Sequence, residues 1–76
     1  MKELVERIAK ALVDHPDQVV VEEMQGSQTS VIQVRVAKED VGKVIGKKGF
    51  NANAIRTLLD AAGGKNNRRY ILEIIE

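Results

Sequence analysis

Between Lys2 and Val13 the apolar residues recur with the period of a helix. Leu4, Val5, Ile8, Ala9, Leu12 and Val13 share one face, while Lys2, Glu3, Glu6, Arg7 and Lys10 lie elsewhere. This pattern predicts an amphipathic helix over 2–13 resting on a core. His15-Pro16 ends it, because the residue before a proline is pushed out of the helical region. His15 reads as a helix-end residue, favourable near the negative end of the dipole when protonated. Val19-Val20-Val21-Glu22-Glu23-Met24 is rich in β-branched residues and predicts a strand. Gln25 to Ser30 is polar with Gly26 inside it and reads as a loop. Val31 to Val36 then alternates, with Ile32, Val34 and Val36 facing one way and Gln33 and Arg35 the other, as in a half-buried strand. The two strands most simply form a hairpin.

The period then changes back. Lys38-Glu39-Asp40 opens a helix with acids in its first turn and Asp40 as its cap, and that helix runs to Ile45. A further helix begins near Phe50, carries Ala52, Ile55, Leu58, Leu59 and Ala62 on one face, and is stopped by Gly63-Gly64. Lys65 to Arg68 reads as a basic loop. Arg69 to Ile75 is a last strand, with Tyr70, Leu72 and Ile74 on one face and Ile71 and Ile75 on the other. Three strands covered on one face by three helices make a two-layer α+β domain over 1–76.

Composition narrows the function more by exclusion than by suggestion. With no cysteine there is no disulfide, thiolate nucleophile or Cys-based zinc site. The single histidine cannot form a metal cluster unaided, and it has no acid–base partner. Glu22 and Glu23 are adjacent in a strand and point to opposite faces, so they are no carboxylate pair. Nothing therefore predicts an enzyme, a metal or a cofactor. No apolar run approaches the roughly 20 residues of a membrane span, and nothing resembles a signal peptide, which predicts a cytoplasmic protein with no membrane partner.

Net charge is only +1, yet its distribution is uneven. From Val41 to Arg69 there are seven basic residues (Lys43, Lys47, Lys48, Arg56, Lys65, Arg68, Arg69) against the single acid Asp60, whereas the remainder has five basic and ten acidic residues. That concentration points to an anionic partner met on one side.

At the centre of the basic segment stands Val41-Gly42-Lys43-Val44-Ile45-Gly46-Lys47-Lys48-Gly49. Two glycines let the backbone turn sharply and approach another backbone closely. The lysines between them must face outward. The helix that follows offers unpaired N–H groups and the positive end of its dipole. The combination suits a phosphate backbone. A nucleotide-binding loop is excluded because Lys47 stands where its second glycine should follow Gly42, and the dinucleotide fingerprint G-x-G-x-x-G is absent. A DNA-binding helix-turn-helix stays open, since the second helix offers Asn51, Asn53, Arg56 and Thr57 for base reading. The gathering of charge at the turn and the flanking strands count against it.

Val44-Ile45-Gly46-Lys47-Lys48-Gly49, with Ile55 six residues further on, resembles the core of a KH domain. The extra helix and strand ahead of a β-α-α-β core at 31–75 resemble the type II arrangement. Over essentially its full length, from Lys2-Glu3-Leu4-Val5 through Ala11 to Asp17 and on to Ala54-Ile55-Arg56-Thr57-Leu58-Leu59, the chain is similar to the small bacterial KH proteins of the KhpA family. The resemblance implies binding of about four nucleotides of single-stranded RNA, with the backbone clamped at the G-x-x-G loop and the bases in a narrow apolar groove. Gly46 and Gly49 then allow close approach, and Lys47 and Lys48, with Lys43 beside them, meet phosphates. Val44 and Ile45 floor the groove, Ile32 and Val34 form its opposite wall, and Arg56 makes a more distant backbone contact.

The resemblance further implies a homodimer, a heteromer with a larger KH-containing protein (KhpB, also called Jag or EloR), and an RNA-chaperone or post-transcriptional role linked to cell elongation and division. Phe50 stands where the family usually has a basic residue; it either stacks on a base or packs against the preceding turn. Asn51 and Asn53 suit local capping or hydrogen bonding. Some KH domains have lost nucleic-acid binding along with their glycines or loop charge, and both remain here. The rival from another class is a protein-interaction module with incidental RNA binding, supported by Ile71 and Ile75 on the uncovered strand face.

Overall fold

The computed structural model describes residues 1–65 and 67–76. Helix α1 (Lys2–Leu12) is followed by a 3₁₀ turn at Pro16–Gln18 and by strands β1 (Val20–Gln25) and β2 (Thr29–Arg35). A second 3₁₀ turn, Lys38–Asp40, leads into the short helix α2 (Val41–Ile45). A third, Lys47–Gly49, leads into α3 (Phe50–Lys65), and β3 (Arg69–Ile75) closes the order.

The sheet has the order β1-β2-β3. β1 and β2 form the expected antiparallel hairpin, with Val21 opposite Val34 and Met24 opposite Val31. β3 runs parallel to β2, so α2, the glycine turn and α3 together form the crossover between them, and Ile32 pairs with Leu72. All helices cover one face. Val5 and Ala9 of α1, Val44 of α2, and Ile55 and Leu59 of α3 meet Val21, Ile32, Val34 and Leu72 of the sheet in one buried cluster, and Tyr70 and Ile74 pack against its edge. The fold is therefore the expected α+β two-layer arrangement, three helices on a three-stranded mixed sheet.

Four local expectations need correction. β2 starts at Thr29 rather than Val31, and Ser30 is buried although its neighbourhood is polar. The Arg68 guanidinium donates to Ser30 Oγ at 2.8 Å and so satisfies a hydroxyl that composition alone would place in a loop. Gly63 and Gly64 do not stop α3, which continues to Lys65. Gly63 is there for contact instead. The Arg68 backbone crosses the helix so closely that its carbonyl oxygen lies 2.1 Å from where a Cβ on residue 63 would be. The Arg68 N–H also donates to the Gly63 carbonyl at 2.9 Å. The loop expected at 65–68 thus shrinks, and its residue Asn66 lies outside the described residues.

Leu58, which the sequence pattern puts on the core face of α3, is exposed, because Ala52, Ile55, Leu59 and Gly63 make that face. Asp40, finally, caps nothing. It sits in the right-handed helical region inside the turn before α2 and makes no side-chain hydrogen bond to that helix.

On the uncovered face of the sheet, Met24, Val31 and Ile71 line up in register across the three strands, with Met24 and Ile71 exposed. Among the described residues no helix is long and apolar enough to cross a membrane.

Candidate nucleic-acid interface

Gly46 to Gly49 form the connection between α2 and α3, and its shape follows from three residues with positive φ. Gly46 has φ 79° and ψ 169°, Lys48 has φ 57°, and Gly49 has φ 77°. The Gly46 conformation belongs to a region that only glycine adopts without strain. Space forbids a side chain there as well, since a Cβ on residue 46 would stand 2.7 Å from Asn51 Cγ and 2.8 Å from the Asn51 backbone nitrogen. Lys48 is left-handed without being glycine, and the Gly49 N–H after it closes the turn on the Gly46 carbonyl at 3.0 Å.

Asn51 locks the arrangement from the first turn of α3. Its Nδ2 donates to the Lys43 carbonyl of α2 at 2.9 Å. The amide therefore satisfies an orphan carbonyl at the end of the preceding helix rather than capping its own. It also fixes the angle between α2 and α3 at the turn. The sequence marks Asn51 only as a polar residue near a helix start; its partner is eight residues back and not deducible from local pattern.

The turn carries Lys47 and Lys48 outward, both exposed and, among the described residues, neither in an ion pair. Lys43 differs. Its ammonium is held by the Asp14 carboxylate and lies 3.7 Å from Asp40 Oδ1. The hydrogen bond that Lys43 donates to Asp14 pushes the Lys43 pKa up, and the same bond pulls the Asp14 carboxyl below its ordinary value. Lys43 is thus engaged within the chain and offers less to an outside anion than its place beside the turn implies. The carboxylate of Asp40 is fully buried and accepts from the backbone N–H of Asp14 at 3.3 Å and of His15 at 3.0 Å. It ties the end of α1 to the start of α2.

The apolar residues expected to shape a base groove divide. Ile32, Val34 and Val44 have no exposed surface and are core beneath the turn, so as placed they present nothing to a ligand. Ile45 remains 38% exposed beside Gly46. Phe50 is 73% exposed and does not pack away against the preceding turn. It lines an open groove with Lys47, Lys48, Asn53, Ala54 and Thr57. Arg56 lies on α3 and donates to Asn53 Oδ1 at 3.2 Å.

The basic segment is also divided. Lys65 is the last residue of α3 and Arg68 and Arg69 lie beyond it, at the far end of a 16-residue helix whose rise of 1.5 Å per residue separates its ends by roughly 22 Å. Charge at the turn itself thus reduces to Lys47 and Lys48, with Arg56 further along the helix.

A family model described as "KhpA/KhpB, KH domain" matches residues 2–74. A protein of Caldanaerobacter subterraneus subsp. tengcongensis is 59% identical over 75 residues, covering 99% of this chain and 100% of its own length. One from Clostridium acetobutylicum is 55% identical with the same coverage. One from Chlamydia pneumoniae is 49% identical over 76 residues, covering 100% of this chain and 97% of the relative. Each of the three bears the name RNA-binding protein KhpA. No solved structure matches the chain.

Proposed function

The chain belongs to the KhpA/KhpB family of KH domains, and from that premise we propose that it binds single-stranded RNA, about four nucleotides at a time, across the turn Gly46-Lys47-Lys48-Gly49. The observation that carries the proposal is the pair of outward lysines, in no ion pair among the described residues, on a turn whose first glycine excludes any side chain. A phosphate can approach the Gly46–Gly49 backbone closely, meet two ammonium groups, and lie near the positive end of the α3 dipole. Lysine supplies charge without base selectivity, so binding is sequence-tolerant and sensitive to salt. The role is that of a non-enzymatic, cytoplasmic RNA chaperone or post-transcriptional regulator linked to cell elongation and division. The relatives' printed name supports the RNA-binding part of it.

A helix-turn-helix reading has less support. Arg56 and Thr57 are engaged along α3 with Asn53, and the free charge lies at the turn rather than along a recognition helix. A second reading, association with another KH-containing chain or a second copy, has its own observation in the Met24, Val31 and Ile71 row on the open sheet face. The two are compatible, because a dimer doubles the phosphate contacts.

The test is binding of a labelled single-stranded RNA and of duplex DNA by the wild type and by Lys47→Asp/Lys48→Asp, over a range of salt. We expect RNA to be preferred, and the double substitution to abolish binding while circular dichroism shows the fold retained. Replacing both lysines by alanine should flatten the dependence of log K on log salt by about 1.4, two phosphates at roughly 0.7 each. Equal binding by wild type and charge-reversed protein places the RNA elsewhere.

A further inference from the structure

Helix α3 keeps more apolar surface in water than its packing requires. Ala52, Ile55, Leu59 and Gly63 face the core, yet Phe50, Ala54 and Leu58 recur at four-residue intervals on a separate, exposed stripe. Phe50 opens that stripe and is the most exposed of the large apolar side chains among the described residues. Its ring shares a groove with Lys47, Lys48, Asn53, Ala54 and Thr57, and among the described residues no carboxylate lines it.

The polar groups of the groove are not equally free. Thr57 Oγ1 donates to the Asn53 carbonyl at 3.0 Å, and Asn53 Oδ1 accepts from Arg56 at 3.2 Å. Among the described residues Asn53 Nδ2 has no acceptor. It is the nearest atom, at 3.6 Å, to the point where a Cβ on Gly49 would be. A free amide donor thus stands beside the second glycine of the turn, in the groove that also holds an exposed aromatic ring and two ammonium groups.

We infer that this groove is a nucleobase subsite: the base of a nucleotide whose phosphate meets Lys47 or Lys48 stacks on the Phe50 ring and accepts a hydrogen bond from Asn53 Nδ2. The inference rests on the RNA-binding reading above and extends it from the backbone to a base. Every base has a π face and at least one acceptor on its edge, so the subsite adds affinity with little sequence preference. The competing occupant is a second copy of this chain. Symmetric pairing of two such grooves brings Lys47 and Lys48 of both copies together, with no acid in the lining to offset them. Charge therefore favours the nucleic acid.

The chain contains no tryptophan, so Phe50→Trp installs a single reporter on the ring's position. Its emission is followed on titration with hexauridylate and with an abasic ribose-phosphate oligomer of the same length. Affinity is measured in parallel by anisotropy for the wild type, Phe50→Ala, Phe50→Leu and Lys47→Asp/Lys48→Asp. The subsite predicts quenching by hexauridylate but not by the abasic oligomer. It also predicts that alanine and leucine weaken hexauridylate binding between about fivefold and about a hundredfold while abasic binding is unchanged. If leucine binds as wild type, a π face is not used and the proposal fails. If neither substitution matters while the lysine pair does, the turn still binds RNA and the base subsite alone is overturned. If the substitutions alter sedimentation and not RNA affinity, the groove is a protein contact and the proposal also fails. A wild type that binds neither oligomer overturns both readings.

Discussion

Gly46 and Asn51 are packed so tightly that the space for a Cβ on residue 46 is already taken by the Asn51 side chain and backbone. The two glycines of the turn therefore differ in kind. Gly46→Ala combines a clash with a backbone region closed to other residues, which costs about 1–3 kcal/mol for the strain alone. At Gly49 a Cβ makes an ordinary contact, leaving only the positive φ to be overcome, about 1 kcal/mol. Urea denaturation should rank Gly46→Ala clearly below Gly49→Ala. Equal losses show that the Asn51 contact relaxes freely.

Gly63 and Gly64 make a second contrasting pair. A Cβ at 63 meets the Arg68 carbonyl, whereas one at 64 meets nothing within 4 Å. Gly64→Ala should stabilise the protein by about 0.4–1 kcal/mol, through the helical preference of alanine and the smaller entropy of the unfolded chain. Gly63→Ala should destabilise it and loosen the start of β3. Thermal melting of the two variants decides the matter, and a stabilising Gly63→Ala contradicts the crossing described above.

Asp40 offers a third measurement. Asp40→Ala leaves the Asp14 and His15 N–H groups without their acceptor, at about 1–3 kcal/mol for each group that stays buried. Asp40→Asn keeps one acceptor oxygen and should fall between alanine and the wild type. Amide exchange at residues 14 and 15 should quicken in both variants, most in alanine. Unchanged exchange at either amide removes that hydrogen bond from the account.

The Asp14–Lys43 pair has a pH signature. Because Lys43 lowers the folded-state pKa of Asp14, the pair stabilises the fold above the ordinary carboxylate range and loses that contribution as pH falls through the lowered value. At the alkaline end the sign reverses. Asp14 raises the pKa of Lys43, so this contribution is complete below the ordinary lysine value and disappears as pH rises through the raised one. Both groups are exposed, so the effect on stability is small. Carboxyl chemical shifts should show Asp14 titrating low in the wild type and higher in Lys43→Ala.

Much of this was legible in the sequence, for identifiable reasons. The 3.6-residue period of α1 and the alternation of β2 each depend on neighbours within a few positions, so both elements are found, and β2 departs from the pattern only at its ends. The turn was legible because glycines and lysines at fixed spacing carry their own stereochemistry. What escaped depends on contacts distant in sequence. Asp40 looks like a helix cap until the α1 end, 25 and 26 residues back, supplies its donors. Gly63 looks like a helix stop until the returning chain crosses it. Ile32 and Val34 look like a groove wall until α1 and α3 bury them, and Lys43 looks free until Asp14 reaches it. Leu58 sits one residue from the true core position Leu59, and a period count alone cannot choose between them.

The parallel pairing of β2 with β3 has a temporal side. Val31 must find Ile71, forty residues later in synthesis, with both helices and the lysine turn strung between them. The hairpin can form as soon as it leaves the ribosome, but the segment bearing the turn is anchored at only one end until β3 emerges. Ribosome-bound chains that stop short of β3 thus carry Lys47 and Lys48 on a tether rather than on a scaffold. A nascent chain acquires the fixed form of that turn only with its closing strand.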